Sequence, residues 1–141
     1  MSNYLRLQPV LTQRKHSEPL KQASTSFVLD ERKGLVVATF SGEITGGDIA
    51  KYAKTLLSRP EFEPTFAEIV DLTEVTEFDL QATDFLRLAD KIDPFWPAAK
   101  RAFVVRTSAQ NYAARMHKIL RSDRKIDIFQ SREEALKWID E

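Results

Sequence analysis

Apolar, β-branched runs alternate along this chain with longer segments of helical periodicity, and that alternation limits its fold more than any other feature. Ser26-Phe27-Val28-Leu29-Asp30 reads as a strand, and the turn Glu31-Arg32-Lys33-Gly34 joins it to the β-branched run Leu35–Ser41. Two such runs across a short turn form a hairpin. Gly42-Glu43-Ile44-Thr45 leads into a helix over about 47–58, where Ile49, Tyr52, Ala53, Leu56 and Leu57 have helical spacing. Thr45 and Asp48 make a capping pair at its start, and Pro60 stops it. Phe66–Asp71 is the next strand, and after Thr73–Thr76 a second helix runs over about 80–92, with Asp79 as N-cap and Pro94 as its end. Arg101–Val105 is a strand, Ser108 caps a third helix reaching about Arg121, and Ile126–Phe129 is the last strand. Ser131-Arg132-Glu133-Glu134 has capping-box spacing and opens a final helix over about 133–140. The order ββαβαβαβα predicts a single α/β domain over 25–141, with four helices and a mixed five-strand sheet that is parallel beyond its opening hairpin.

Residues 1–24 differ: Arg6, Arg14, Lys15 and Lys21 stand against Glu18 alone, with Ser, Gln and Pro between them. They read as a basic N-terminal arm, flexible or loosely docked. Over the whole chain, Lys+Arg and Asp+Glu are both 21, and the net charge is zero. That balance excludes a strongly basic nucleic-acid-binding protein. The absence of cysteine excludes disulfides, thiol catalysis and cysteine-based zinc sites. No signal-peptide pattern or apolar run of spanning length is present, so the expected location is cytoplasmic.

Catalytic parts are few. His16 lies in the basic arm without a ligand partner, and His117 sits off the apolar stripe of the third helix as an exposed or half-buried side chain. No nucleophile–base spacing supports hydrolysis. Gly42, Gly46 and Gly47 match neither a phosphate loop nor a dinucleotide fingerprint. Asp71, read at the end of the central strand, forms an acidic rim with Glu74, Glu77 and Asp79, but the spacing is not that of metal ligands. An enzyme, a metal site and a cofactor are therefore not expected.

The second helix says more. Ala82, Phe85, Leu86, Leu88, Ala89 and Ile92 span an arc of roughly 160° on a wheel of about 100° per residue, wider than an ordinary core face. Phe95 and Trp96 follow between Pro94 and Pro97. These aromatics either cap the core or serve as an apolar lid, a dimer contact or a membrane-insertion point. Charge is also segregated: residues 61–93 hold ten acids and two bases, whereas residues 94–125 hold eight bases and one acid. Arg115, Lys118 and Arg121 fall on one side of the third helix. That side is a solvated face, an anionic-headgroup contact or half of a subunit pairing.

Several segments together resemble STAS domains, the fold of bacterial anti-anti-sigma factors, and more closely the SpoIIAA-like (STAS/SEC14-like) branch of uncharacterised bacterial proteins. They are Phe40–Thr45, Pro60-Glu61-Phe62, Ile69–Thr76, Lys100–Val105, Ala113-Ala114-Arg115-Met116, and Ile128-Phe129 with Glu133–Ile139. The resemblance covers residues 26–141. It implies that a serine-bearing stretch after the central strand is a phosphorylation switch, a placement that suits the free N–H groups of a helix start. Here that stretch is Phe78-Asp79-Leu80-Gln81-Ala82: the acid is kept, but Leu80 and Gln81 stand where serines are expected. Thr83 lies further on, where its hydroxyl would face its own backbone. The site is a degenerate one, Asp79, Leu80 and Gln81.

The resemblance also implies carriage of an apolar ligand. The leading expectation is a non-catalytic binding module for an apolar or lipid-like ligand with peripheral membrane contact. Phe85, Leu86, Leu88, Ile92, Phe95 and Trp96 would form the wall, and Arg115, Lys118 and Arg121 the headgroup contact. The alternative is a protein-interaction module, related to anti-sigma-factor antagonists, without the phosphorylatable serine. A homodimer is compatible with either.

Overall fold

A computed structural model describes residues 23–81 and 93–141. Its strands are β1 (Ser24–Asp30), β2 (Leu35–Thr45), β3 (Ala67–Asp79), β4 (Lys100–Val104) and β5 (Lys125–Phe129). Its helices are α1 (Gly46–Leu57), α2 (Ser108–Leu120) and α3 (Arg132–Ile139). The sheet is mixed and five-stranded in the order β1-β2-β3-β4-β5. β1 and β2 are antiparallel, and the other three pairings are parallel. The expected α/β architecture and sheet are present. Helices number three among the described residues, not the four expected: the helix over 80–92 falls almost wholly outside them, and Leu80 and Gln81 are not helical.

Local chemistry explains the elements. Gly34 takes φ 61° in the hairpin turn, where a side chain would be strained. Thr45 and Asp48 close the capping box at the start of α1. α2 is capped by Thr107 with Gln110, one residue before the expected Ser108. Ser131 caps α3 by accepting from the N–H of Glu134 at 3.1 Å. Alternation along the strands divides the apolar residues between two layers. Val36, Ala38, Phe40, Val70, Leu72 and Phe103 pack with Tyr52 and Leu56 of α1 and Ala114 of α2. Leu35, Ile69, Ala102 and Val104 pack on the other face with Ala135 of α3.

The largest departure from the expected elements is the length of β2 and β3. The sequence pattern places their ends near Ser41 and Asp71, yet they stay paired as far as Thr45 beside Asp79. Register shifts flank Ser41 and Gly42, and Gly42 adopts φ 77°, so a bulge lets the ladder continue. Asp71 is therefore mid-strand, not part of a rim. Its carboxylate accepts from the Thr73 N–H and hydroxyl at 2.9 and 2.6 Å and from Arg132 Nε at 2.7 Å. Burial alone would raise its pKa; the Thr73 and Arg132 hydrogen bonds outweigh that and hold it below the usual carboxylate range.

Candidate functional site

Beneath α1 and α2 lies a buried ion-pair network. The β3/β4 register sets Glu68 beside Arg101. Glu68 is fully buried. Arg101 Nε donates to Glu68 Oε1 at 2.9 Å, and the Tyr52 hydroxyl donates to Oε2 at 2.6 Å. Arg101 Nη1 also donates to Asp93 Oδ2 at 2.7 Å. Arg121 and Arg124 bring their guanidinium groups to the same oxygen. Arg124 donates further to the Phe95 carbonyl, and the Arg101 guanidinium lies 4.7 Å from the Phe95 ring centroid. Three guanidinium groups thus meet two carboxylates.

The network acts on its neighbours. Burial and then the Glu68 carboxylate push the Tyr52 phenol well above its usual pKa. Burial pushes the His117 imidazole well below its ordinary value, and Arg101, Arg121 and Arg124 push it further. His117 Nε2 is sealed from solvent with no hydrogen-bond partner. With Tyr52, Glu68 and Arg101 it borders a cavity of about 80 Å³ whose other lining residues, among the described ones, are apolar, including Phe40, Ile44 and Leu80. That volume is well below the roughly 300 Å³ or more of a ligand pocket.

The neutral imidazole makes stability pH-dependent. As pH falls below about 6.5, the unfolded histidine takes up a proton that the folded one refuses, so stability is lost toward acid pH at about 1.4 kcal/mol per unit. Urea unfolding at pH 7.5 and 5.5 is expected to show a slope that shrinks in His117→Phe. An unchanged slope in that variant would show that His117 is not its source.

The second element of the site is the rim beyond β4. β3 pairs with β4 over 68–71 only, so its later carbonyls on that side lack a ladder partner among the described residues. Side chains from the start of α2 replace it. Gln110, buried, donates through Nε2 to the carbonyls of Thr73 and Val75 at 3.3 and 3.0 Å. Its Oε1 accepts from the N–H groups of Arg106 and Thr107 at 2.7 and 3.1 Å. Arg106 Nη2 adds a bond to the Thr73 carbonyl at 2.7 Å. Past this staple the chain exposes Glu74, Glu77, Asp79 and Gln81, with Leu80 half-buried against the small cavity.

The third element is the outer face of α2. Tyr112 and Ile119 are 67% and 63% exposed, and exposed Arg115 lies between them on the same stripe. A groove of about 820 Å³ separates this helix from the end of β5.

The sequence-predicted residues are not brought together as expected. Phe85, Leu86, Leu88 and Ile92 lie outside the described residues, as do His16, Thr83 and residues 1–22 of the arm read over 1–24, whose Ser24 opens β1. Phe95 and Trp96 separate. Phe95 is a core side chain, edge-on to Phe62 at 5.3 Å, whereas Trp96 is 57% exposed. Arg115 and Lys118 are exposed, and Lys118 pairs with Asp127 at 3.2 Å. Arg121 is not on their face. α2 ends at Leu120, and Arg121 leaves helical geometry at φ −127°, ψ 52°, which turns its side chain inward to Asp93. Asp79 does not begin a helix but closes β3 beside Thr45. Sequence reasoning missed Glu68, Arg101, Asp93 and Gln110. A signal existed for the first two: each sits two residues before a core side chain, Val70 or Phe103, on the same face of its strand.

No protein-family model and no curated protein sequence matches the chain. Solved structures do. An uncharacterized protein of the DUF3478 family with a SpoIIAA-like fold, from Shewanella loihica PV-4, superposes with a TM-score of 0.61 at 19% identity, over 86% of this chain and 98% of that one. An anti-sigma factor antagonist from Mycobacterium paratuberculosis superposes with a TM-score of 0.57 at 16% identity, over 84% and 96% of the two chains. The hairpin-led parallel sheet with its two apolar layers is therefore a SpoIIAA-like fold.

Proposed function

We propose that this chain is a non-catalytic protein-interaction module, comparable to an anti-sigma-factor antagonist, that binds its partner without a phosphorylation switch. The carrying observation is the exposed end of β3. Asp79, Leu80 and Gln81 occupy the position where the resemblance implies a phosphorylated serine, and neither Leu80 nor Gln81 has a hydroxyl. The anti-sigma factor antagonist among the structural neighbours supports a protein partner over a lipid. The buried polar side chains also favour a binding role, since Glu68, Arg101 and Asp93 are committed to one another. Exposed Trp96 keeps an apolar-ligand carrier as the second reading.

The full chain is to be titrated calorimetrically against each anti-sigma factor encoded by its source organism. One is expected to bind, with ATP making no difference and intact mass showing no added phosphate. Asp79→Lys is expected to weaken that complex at least tenfold without moving Tm. Failure of every anti-sigma factor to bind overturns the proposal. A lipid retained in native mass spectrometry would put the carrier in its place.

A further inference from the structure

We propose that the groove between α2 and the end of β5 receives an acidic, amphipathic segment of a protein partner. This deepens the interaction-module reading, on which it rests, by adding a second docking surface to the end of β3 and giving the charge of the partner segment it takes. Arg106 and Arg115 supply the charged contacts, and Tyr112 and Ile119 the apolar anchors.

Charge points to the partner. Among the described residues, four bases and no carboxylate line the groove. Arg124 is turned inward to Asp93, and Lys118 shares Asp127. Arg106 donates to a neutral carbonyl and has no ion pair among the described residues. Arg115 has no ion pair among the described residues. A facing acidic segment would complement this field, raise the association rate and discriminate against basic partners.

Apolar exposure points to a protein. Tyr112 and Ile119 flank Arg115 on the solvent side of α2, and the groove beside them shares Arg115 and Ile119. Tyrosine and arginine are enriched among the residues that carry binding energy at protein interfaces. A small anion would use the arginines but leave both apolar side chains wet. A bilayer is flat, whereas the groove beside them is concave. An amphipathic segment satisfies both kinds of group, with acids toward Arg106 and Arg115 and apolar residues toward Tyr112 and Ile119.

The test uses the full chain and two fluorescein-labelled peptides, with Leu and Glu or Leu and Lys at helical spacing, read by anisotropy. The Glu peptide is expected to bind at least tenfold more tightly than the Lys peptide. Its binding should weaken as salt rises from about 0.05 to 0.5 M, where screening shortens to a few ångströms. Arg115→Glu is expected to cost tenfold or more and Tyr112→Ala severalfold, with Tm unchanged because both side chains are exposed. Equal affinity for the two peptides overturns the proposal, as does unaltered binding by Arg115→Glu. Two further results also overturn it: tighter binding to phosphatidylglycerol vesicles or inorganic phosphate than to the Glu peptide, or a homodimer that Arg115→Glu disrupts. An anti-sigma factor that binds wild type and Arg115→Glu equally overturns the groove and leaves the interaction module standing. The converse, a Glu peptide bound through Arg115 with no anti-sigma factor binding, supports the groove and removes the anti-sigma reading.

Discussion

Asp93→Ala is expected to lower folding stability by about 3–5 kcal/mol, the usual cost of removing one partner from a buried ion pair. The reason is an asymmetry of number. Arg101, Arg121 and Arg124 all rely on the Asp93 Oδ2 atom, and Glu68 contacts only Arg101 among them. Without the carboxylate, buried Arg121 has no other ion-pair partner among the described residues, and its Nε is already without a hydrogen bond. Burial already weighs against that charge, and Asp93 is the main influence opposing it. Asp93→Asn, which keeps an acceptor of the same shape, is expected to cost less. Adding Arg121→Met to Asp93→Ala should restore part of the loss, because it removes a stranded cation. Urea unfolding of the four proteins gives these values. A cost below 1 kcal/mol for Asp93→Ala would mean that the arginines find water, and that the network is not closed.

Gln110→Ala is expected to cost about 2–3 kcal/mol, since a buried donor or acceptor left unpaired costs about 1–3 kcal/mol. Gln110 serves four backbone groups, the carbonyls of Thr73 and Val75 and the N–H groups of Arg106 and Thr107. Arg106 still reaches the Thr73 carbonyl in the variant, which limits the loss. Gln110→Glu keeps the acceptor but sets a carboxylate against two carbonyl oxygens, so it is expected to be no better than alanine. Hydrogen exchange adds a local readout: protection over 73–79 should fall more than over β4. Uniform loss of protection would show that Gln110 supports the fold as a whole, not the end of β3.

The anti-sigma and groove experiments bear on two separate surfaces. Asp79 marks the end of β3, and Arg115 marks the outside of α2. Loss of partner binding at either can therefore be assigned to one surface.

Much of the architecture was legible from local pattern. Hydrophobic period separated strands from helices, Gly34 marked the hairpin, and Thr45 with Asp48 marked the start of α1. The ends of β2 and β3 were not legible. Thr73–Thr76 carries turn-like polar residues, yet a strand paired on one side needs only a neighbour in register, and the bulge at Gly42 supplies it. Charge was legible as a sum and misleading as a map. The basic stretch over 94–125 suggested a face, but Arg101 and Arg121 are buried and Arg124 is half-buried.

The sequence by itself determined the α/β class, the strand order along the chain, and the absence of acceptor hydroxyls at Leu80 and Gln81, because these depend on residue type and on spacing within one element. Only the tertiary structure decided which charges are inside. The pairing of Glu68 with Arg101 needs the β3/β4 register, and the meeting of Asp93 with Arg121 needs a helix that ends one residue before it. A side chain's electrostatic role depends on neighbours distant in sequence, and no periodicity within one element encodes them.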